Sequence, residues 1–210
     1  MPKIIASLLL WSVAALAGSP GAISLPKPDT KGGVPLMQAL SQRQSAREFS
    51  PAILSPETLS NLLWAAYGVN RPDGRRTAPS ASNRQSVDIY AVTADGAYLY
   101  DAKAHRLDPV VAGDLRALTG RQAFVAEAPL NLVYVADYAR FTNTSDDDKL
   151  LYSAAETGFI GQNVYLYCAS EGLATVIRAM IDRPALAKAL KLRPGQKIIL
   201  SQTVGRPKPH

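Results

Sequence analysis

Three observations predict a single domain that mixes helices and strands. Val87, Ile89 and Ala91 alternate with Asp88 and Tyr90, the two-residue period of a strand, and Asp95-Gly96 then offers a hairpin turn into a returning strand at Ala97–Tyr100. Leu130–Val135 is a near-continuous apolar run, as expected of a strand at the centre of a sheet. Asp146-Asp147-Asp148 precedes a long helical stretch from about Lys149 to Ser170, with Gly172 at its exit. The chain has 210 residues, 47% hydrophobic and 19% charged, which suits one folded domain with a sizeable core.

The N-terminus predicts an export signal over residues 1–17. Lys3 supplies a positive start, Ile4–Ala17 is apolar apart from Ser7 and Ser12, and Ala15-Leu16-Ala17 fits a small-x-small cleavage site. This apolar run is too short for a stable membrane span, which needs about 20 residues. No twin arginine precedes it and no cysteine follows it, which disfavours Tat export and lipoprotein attachment. The expectation is a periplasmic or secreted protein that begins at Gly18. Residues 18–33, rich in Pro, Gly, Ser and Lys, predict a linker without fixed structure before a domain at 34–210.

Leu36, Met37, Ala39 and Leu40 space like one helical face and deliver the chain to Arg43-Gln44-Ser45-Ala46-Arg47-Glu48-Phe49. In extended backbone, Arg43, Ser45 and Arg47 share a side and form a clamp for an anion such as phosphate. Taken alone, the same residues also describe a solvated basic turn. Ser55-Pro56-Glu57 starts a helix whose apolar stripe is Leu59, Leu62, Leu63 and Ala66, widened by Trp64 and Tyr67 as core and ended by Gly68.

Residues 70–85 form a long loop without apolar periodicity, and its end offers small residues and amides for close approach to a ligand. Val111–Leu118 predicts a helix, and Gln122–Glu127 a short helical piece stopped by Pro129. Gly158 and Gly161 inside the long helix predict close packing against another helix, preferably the same helix of a second copy. Leu173–Met180 predicts a short irregular strand, Asp182 caps a helix through Leu190, and Ile198–Val204 is a last buried strand.

The net charge is +6, and removing residues 1–17 takes away only Lys3, leaving +5. The cations are scattered without interleaved aromatics, which argues against nucleic-acid binding. Cys168 is the only cysteine, so no intrachain disulfide forms, and its apolar neighbours predict a buried, inert thiol. His105 and His210 are the only histidines; neither a metal cluster nor a Ser-His-acid hydrolase site assembles from them. Any chemistry is then expected to belong to a cofactor.

Arg43–Phe49 resembles the R-x-S-x-R-x-F opening of the nitroreductase family, and Pro79-Ser80-Ala81-Ser82-Asn83-Arg84-Gln85 resembles its P-S-S-x-N-x-Q loop. Glu127-Ala128-Pro129 is similar to its strand entry, and Gly161-Gln162-Asn163 with Glu171-Gly172-Leu173 to its long helix and exit. Arg76–Ala81 and Gln202-Thr203-Val204-Gly205-Arg206-Pro207-Lys208 are close to the SagB/ThcOx-like branch. The resemblance covers roughly residues 34 to 208.

It implies an α+β fold, a central, mostly antiparallel sheet flanked by helices, and a homodimer built on the long helix with FMN at two interface sites. By the same resemblance, Arg43, Gln44, Ser45 and Arg47 hold the phosphate and near edge of the flavin. Ser80 and Asn83 reach the flavin bound mainly by the other subunit, and Gln122 meets its pyrimidine edge. The backbone of Ala179 and Met180 approaches N5 and O4, while Arg206 and Lys208 are further phosphate candidates. Two departures stand out: the loop continues Gln85-Ser86-Val87 instead of Q-P-W, and Ala179-Met180 replaces Gly or Glu-Gly.

The implied activity is an exported FMN oxidoreductase that passes hydride or electrons between an unidentified donor and a small organic substrate. The competing expectation is a flavin-binding redox partner with little turnover of its own.

Overall fold

The computed structural model describes residues 21–209. The expected export signal at 1–17, and His210, lie outside them. In chain order the regular elements are β1 (Ile23–Ser24), α1 (Leu36–Gln42), α2 (Pro56–Tyr67), β2 (Val87–Val92), β3 (Gly96–Asp101), β4 (Arg106–Ala112), α3 (Phe124–Glu127), β5 (Leu130–Asp137), α4 (Asp146–Ser170), β6 (Ala174–Arg178), α5 (Arg183–Ala189) and β7 (Gln196–Gly205).

The strands form one seven-stranded sheet in the order β1-β4-β3-β2-β5-β7-β6. Every pairing is antiparallel, so the expected α+β architecture is present. β5, the predicted central strand, is buried along its whole length between β2 and β7. On one face of the sheet, α2 and α4 pack Leu62, Leu63, Ala66, Ile160 and Val164 onto Ile89, Leu132 and Tyr134. On the other, α5 brings Leu186, with Leu190 beyond its end, onto Val133, Val135 and Ile198.

Helix ends follow their capping residues. Ser55 Oγ accepts from Thr58 N at 3.2 Å, Ser145 Oγ from Asp148 N at 3.1 Å, and Asp182 Oδ1 from Ala185 N at 3.1 Å. Among the described residues, no helix is long and apolar enough to cross a membrane.

α4 rests on the sheet through a small, fully buried polar network. Tyr134 OH donates to Gln202 Oε1 at 2.6 Å, and Gln202 Nε2 donates to Gly161 O at 3.3 Å and to Thr175 Oγ1 at 3.1 Å. A Cβ at Gly161 would lie 2.7 Å from Ile177 Cδ1 and 3.3 Å from Gln202 Oε1. Gly161 therefore lets α4 approach β6 and β7, not a second helix as its spacing suggested. A Cβ at Gly158 would meet nothing within 4 Å.

Other expectations need correction. The helix predicted at Val111–Leu118 is absent: Val110, Val111 and Ala112 end β4, which the sequence reading missed. The chain then turns at Gly113 (φ +91) into a short 3-10 turn at Arg116–Thr119. Pairing with β3 overrides the local helical pattern, and Gly96 permits it, since a Cβ there would sit 2.5 Å from Val111 O. Pro109 is tolerated because β1 pairs only with Arg106 and Leu107, leaving that part of β4 as an edge.

The described part of the expected linker, residues 21–33, is not structureless. Leu25 N donates to His105 O at 3.2 Å, Ser60 Oγ to Pro26 O at 2.6 Å, and Asp29 N to Asn61 Oδ1 at 2.8 Å. Backbone groups thus find partners that composition does not reveal. Trp64, read as core, is half-buried; it folds over Gly68 and donates to Val69 O at 3.1 Å.

The Tyr134–Gln202 network yields a test. Tyr134→Phe leaves Gln202 Oε1 buried without its donor, a loss of about 1–3 kcal/mol. Urea unfolding of this variant is expected to show a lower midpoint with unchanged slope, and an unchanged midpoint would contradict the role given to the bond.

Candidate functional site

Past α1 the chain runs extended along the edge strand β6, where Ala46 N donates to Thr175 O at 3.0 Å. This segment carries the predicted clamp. Ser45 Oγ and Tyr165 OH are 2.8 Å apart, and Tyr165 OH accepts from Ile177 N at 3.0 Å, so one phenol of α4 ties the clamp to β6. The Arg43 guanidinium lies over the Tyr165 ring, 5.2 Å from its centroid. Arg43 is half-buried, while Gln44, Ser45 and Arg47 are exposed. Among the described residues, neither arginine is ion-paired.

Arg206 and Lys208 lie on the neighbouring stretch. Phe49 bridges Pro207 in antiparallel register, and Ser50 N donates to Arg206 O at 2.9 Å. Lys208 is therefore in register with Glu48. A cavity of about 270 Å³ opens beside the clamp, lined by Gln44, Ala46, Tyr165, Thr175 and Pro207. A larger apolar groove of about 690 Å³, lined by Leu54, Tyr98, Leu107 and Leu130, includes none of the predicted site residues.

Ala179 and Met180 follow β6 and are exposed, Met180 by 60%. Gln122 is drawn to the same end of β6, because Arg121 N donates to Met180 O at 3.1 Å. Its Oε1 is buried and has no hydrogen-bond partner. Next to it lies Arg178, a buried cation that the sequence reading did not single out. Arg178 donates to Thr119 O, Asn131 Oδ1 and Thr203 Oγ1 at 2.9, 2.9 and 2.7 Å. Burial lowers its pKa to about 10, which leaves it protonated at neutral pH. A Cβ at Gly120 would fall 1.9 Å from Arg178 Nη1 and 3.0 Å from Gln122 Oε1, so glycine is what lets these side chains pass.

Ser80 and Asn83 stand elsewhere. Ser80 Oγ donates to Glu156 Oε2 at 2.9 Å and accepts from Gln85 N at 2.7 Å. Asn83 is exposed at the loop tip, its Oδ1 accepting from Gln85 Nε2 at 3.1 Å. Ser82, Asn83 and Gln85 have φ of +54, +53 and +49, a strained turn for residues with a Cβ. Glu156 precedes Tyr165 on α4 by nine residues, roughly 13 Å of helix. One chain therefore gathers Arg43, Gln44, Ser45 and Arg47 at the C-terminal half of α4, and Ser80 and Asn83 at its N-terminal half, without joining the two groups.

Glu156 and Tyr165 were also missed, though a signal existed. Ser153, Glu156, Thr157, Ile160, Val164 and Cys168 share the buried stripe of α4, and a carboxylate on that stripe requires partners. The desolvated Tyr67 phenol, which donates to Glu156, has its pKa raised by burial first and by that carboxylate second. Cys168 is buried as expected, and burial pushes its thiol up, away from reactivity. No metal-binding group of His, Cys, Asp and Glu occurs among the described residues.

Comparison with known proteins identifies the family. The nitroreductase family model matches residues 40–206. A protein of Methanocaldococcus jannaschii assigned as a nitroreductase is 33% identical over 183 residues, 82% of this chain and 91% of that one. A crystal structure from Ralstonia eutropha JMP134, assigned likewise, superposes with a TM-score of 0.87 at 41% identity over the full length of both chains. The NADPH:FMN oxidoreductase of Vibrio harveyi, solved with NAD+, gives a TM-score of 0.61 at 22% identity over 83% of this chain and 72% of its own, a likeness of fold alone. This chain belongs to the nitroreductase family of oxidoreductases.

Proposed function

We propose that the chain is an exported, FMN-dependent oxidoreductase of the SagB/ThcOx-like branch that acts as a homodimer on a small organic substrate. The observation that carries this reading is the clamp: the Arg43 guanidinium and the Ser45 hydroxyl meet at Tyr165 beside β6, Arg47 follows two residues on, and neither arginine is ion-paired among the described residues. That donor set suits a phosphate monoester, with Arg43 held in place by the Tyr165 ring. At the far end of β6, Gln122 Oε1 lacks a donor, which a flavin pyrimidine N–H would supply. Ala179 and Met180 adjoin it; their carbonyls accept from Ile181 N and Arg121 N, which leaves their N–H groups for the ring edge. Arg206 and Lys208 add positive charge beyond Phe49.

The bound flavin would supply hydride or electron transfer at N5. The chain's own residues bind its phosphate, orient its ring and, through Met180, narrow the approach of substrate. The FMN oxidoreductase of Vibrio harveyi on the same fold supports this choice of cofactor.

The proposed dimer is built on α4. Leu151, Ala155, Gly158 and Phe159 lie along its outer face, with Leu151 62% and Phe159 49% exposed. Two such helices packed antiparallel would bring the Ser80–Asn83 loop of one subunit to the clamp of the other. The branch assignment rests on Gln202–Lys208 and Arg76–Ala81; Gln202 and Thr203 are core anchors here, and Gly205 gives Pro129 and Phe49 room to pack. Export rests on residues 1–17 alone. N-terminal sequencing of the exported protein is expected to read from Gly18, and a retained Met1 in the membrane fraction would contradict it.

Flavin titration tests the clamp. A charge-assisted hydrogen bond contributes roughly 1.5–3 kcal/mol, so Arg43→Ala is expected to weaken FMN binding by about tenfold to a hundredfold. Arg43→Lys recovers part of the loss, because a point charge does not reproduce the planar fork. Riboflavin, without the phosphate, is expected to lose far less, and equal losses for both ligands would overturn the phosphate assignment.

A further inference from the structure

Glu156 accepts hydrogen bonds from Tyr67 OH, Ser80 Oγ (2.9 Å), Ser86 Oγ (2.7 Å), and the Ser86 and Val87 N–H groups (both 3.3 Å). It is 2% exposed, and no cation pairs with it among the described residues. A buried carboxylate held only by neutral donors is weak as a source of stability, since apolar packing serves as well. Five donors nevertheless converge on it. All but the Tyr67 bond end on the 80–87 stretch, the strained segment of the loop, and they fix it to the helix whose outer face is left open.

The bonds also divide the loop's two ligand candidates. The Ser80 hydroxyl hydrogen is committed to Glu156, and its oxygen already accepts from Gln85 N. Asn83 uses only its Oδ1, so its amide nitrogen has no intrachain partner among the described residues.

We propose that Glu156 is a positioning residue. Through Ser80 it latches the loop to α4, so that Asn83 Nδ2, and not the Ser80 hydroxyl, donates to the flavin of the second subunit. This rests on the split flavin site proposed above. Ser80 then acts on the cofactor only by way of Asn83.

The test uses the whole mature protein, FMN titration by fluorescence, and hydrogen exchange at the amide of residue 83, which donates to Ser80 O at 2.9 Å. Ser80→Ala is expected to weaken FMN binding roughly tenfold and to speed that exchange. Ser80→Thr, which keeps the hydroxyl in extended backbone, restores both. Asn83→Asp, which keeps an Oδ1 for Gln85 Nε2 and tolerates the positive φ but lacks the Nδ2 donor, weakens FMN binding comparably and leaves the exchange unchanged. The double variant binds FMN no worse than Asn83→Asp alone, the non-additivity of residues acting in series. Additive losses would overturn the proposal, since Ser80 would then touch the flavin itself. Unchanged exchange in Ser80→Ala would overturn the latch. If the parent protein binds no FMN, the flavin reading fails with the role given to Asn83, and exchange still decides the latch by itself.

Discussion

The contact between α4 and the sheet sets the rest of the structure. Gly161 brings the helix backbone close enough for Gln202, buried beneath it, to donate to Gly161 O. That approach fixes which α4 residues face inward. Glu156 then meets the loop before β2, and Tyr165 meets both the clamp segment and β6. A helix standing farther off would cost Gln202 Nε2 its bond to Gly161 O and leave it only the sheet partner Thr175 Oγ1, with the Gly161 carbonyl facing a buried setting unbonded by Gln202. Close packing and polar satisfaction therefore impose the same position.

From that position the division of the site follows. The clamp belongs to one half of α4 and the loop to the other, and the helix is rigid between them. The α4 residues that carry them, Glu156 and Tyr165, stand roughly 13 Å apart along the helix. In the homodimer proposed above, a second copy of α4 laid antiparallel along the exposed face at Leu151 and Phe159 would bridge that separation and would cover apolar surface in the same step. Cofactor binding and assembly would then be two consequences of one helix.

Much of this was legible in the sequence where local chemistry decides. The β2–β3 hairpin, the buried β5, and the capped starts of α2 and α5 each depend on residues close in the chain. What failed depended on distant partners. β4 was hidden because Val110 and Val111 look helical until β3 is present, and the strap at 21–33 was hidden because Ser60 and Asn61 hold it. Gly161 announced close packing, but its spacing did not say against what. Arg178 gave no signal at all, since an arginine ending a strand normally reaches solvent and this one turns beneath Gly120.

Subunit complementation tests the split site most directly. One variant carries Arg43→Ala with Arg47→Ala, and the other carries Asn83→Ala; each alone is expected to bind FMN weakly. Unfolded together and refolded at equal concentrations, they form mixed dimers in which one clamp and one loop are both intact. Tight FMN binding is then expected to return to about a quarter of the sites, half of the dimers being mixed and each holding one complete site. No recovery on mixing, with mixed dimers present by mass, would show that each subunit builds its site alone and would contradict the account.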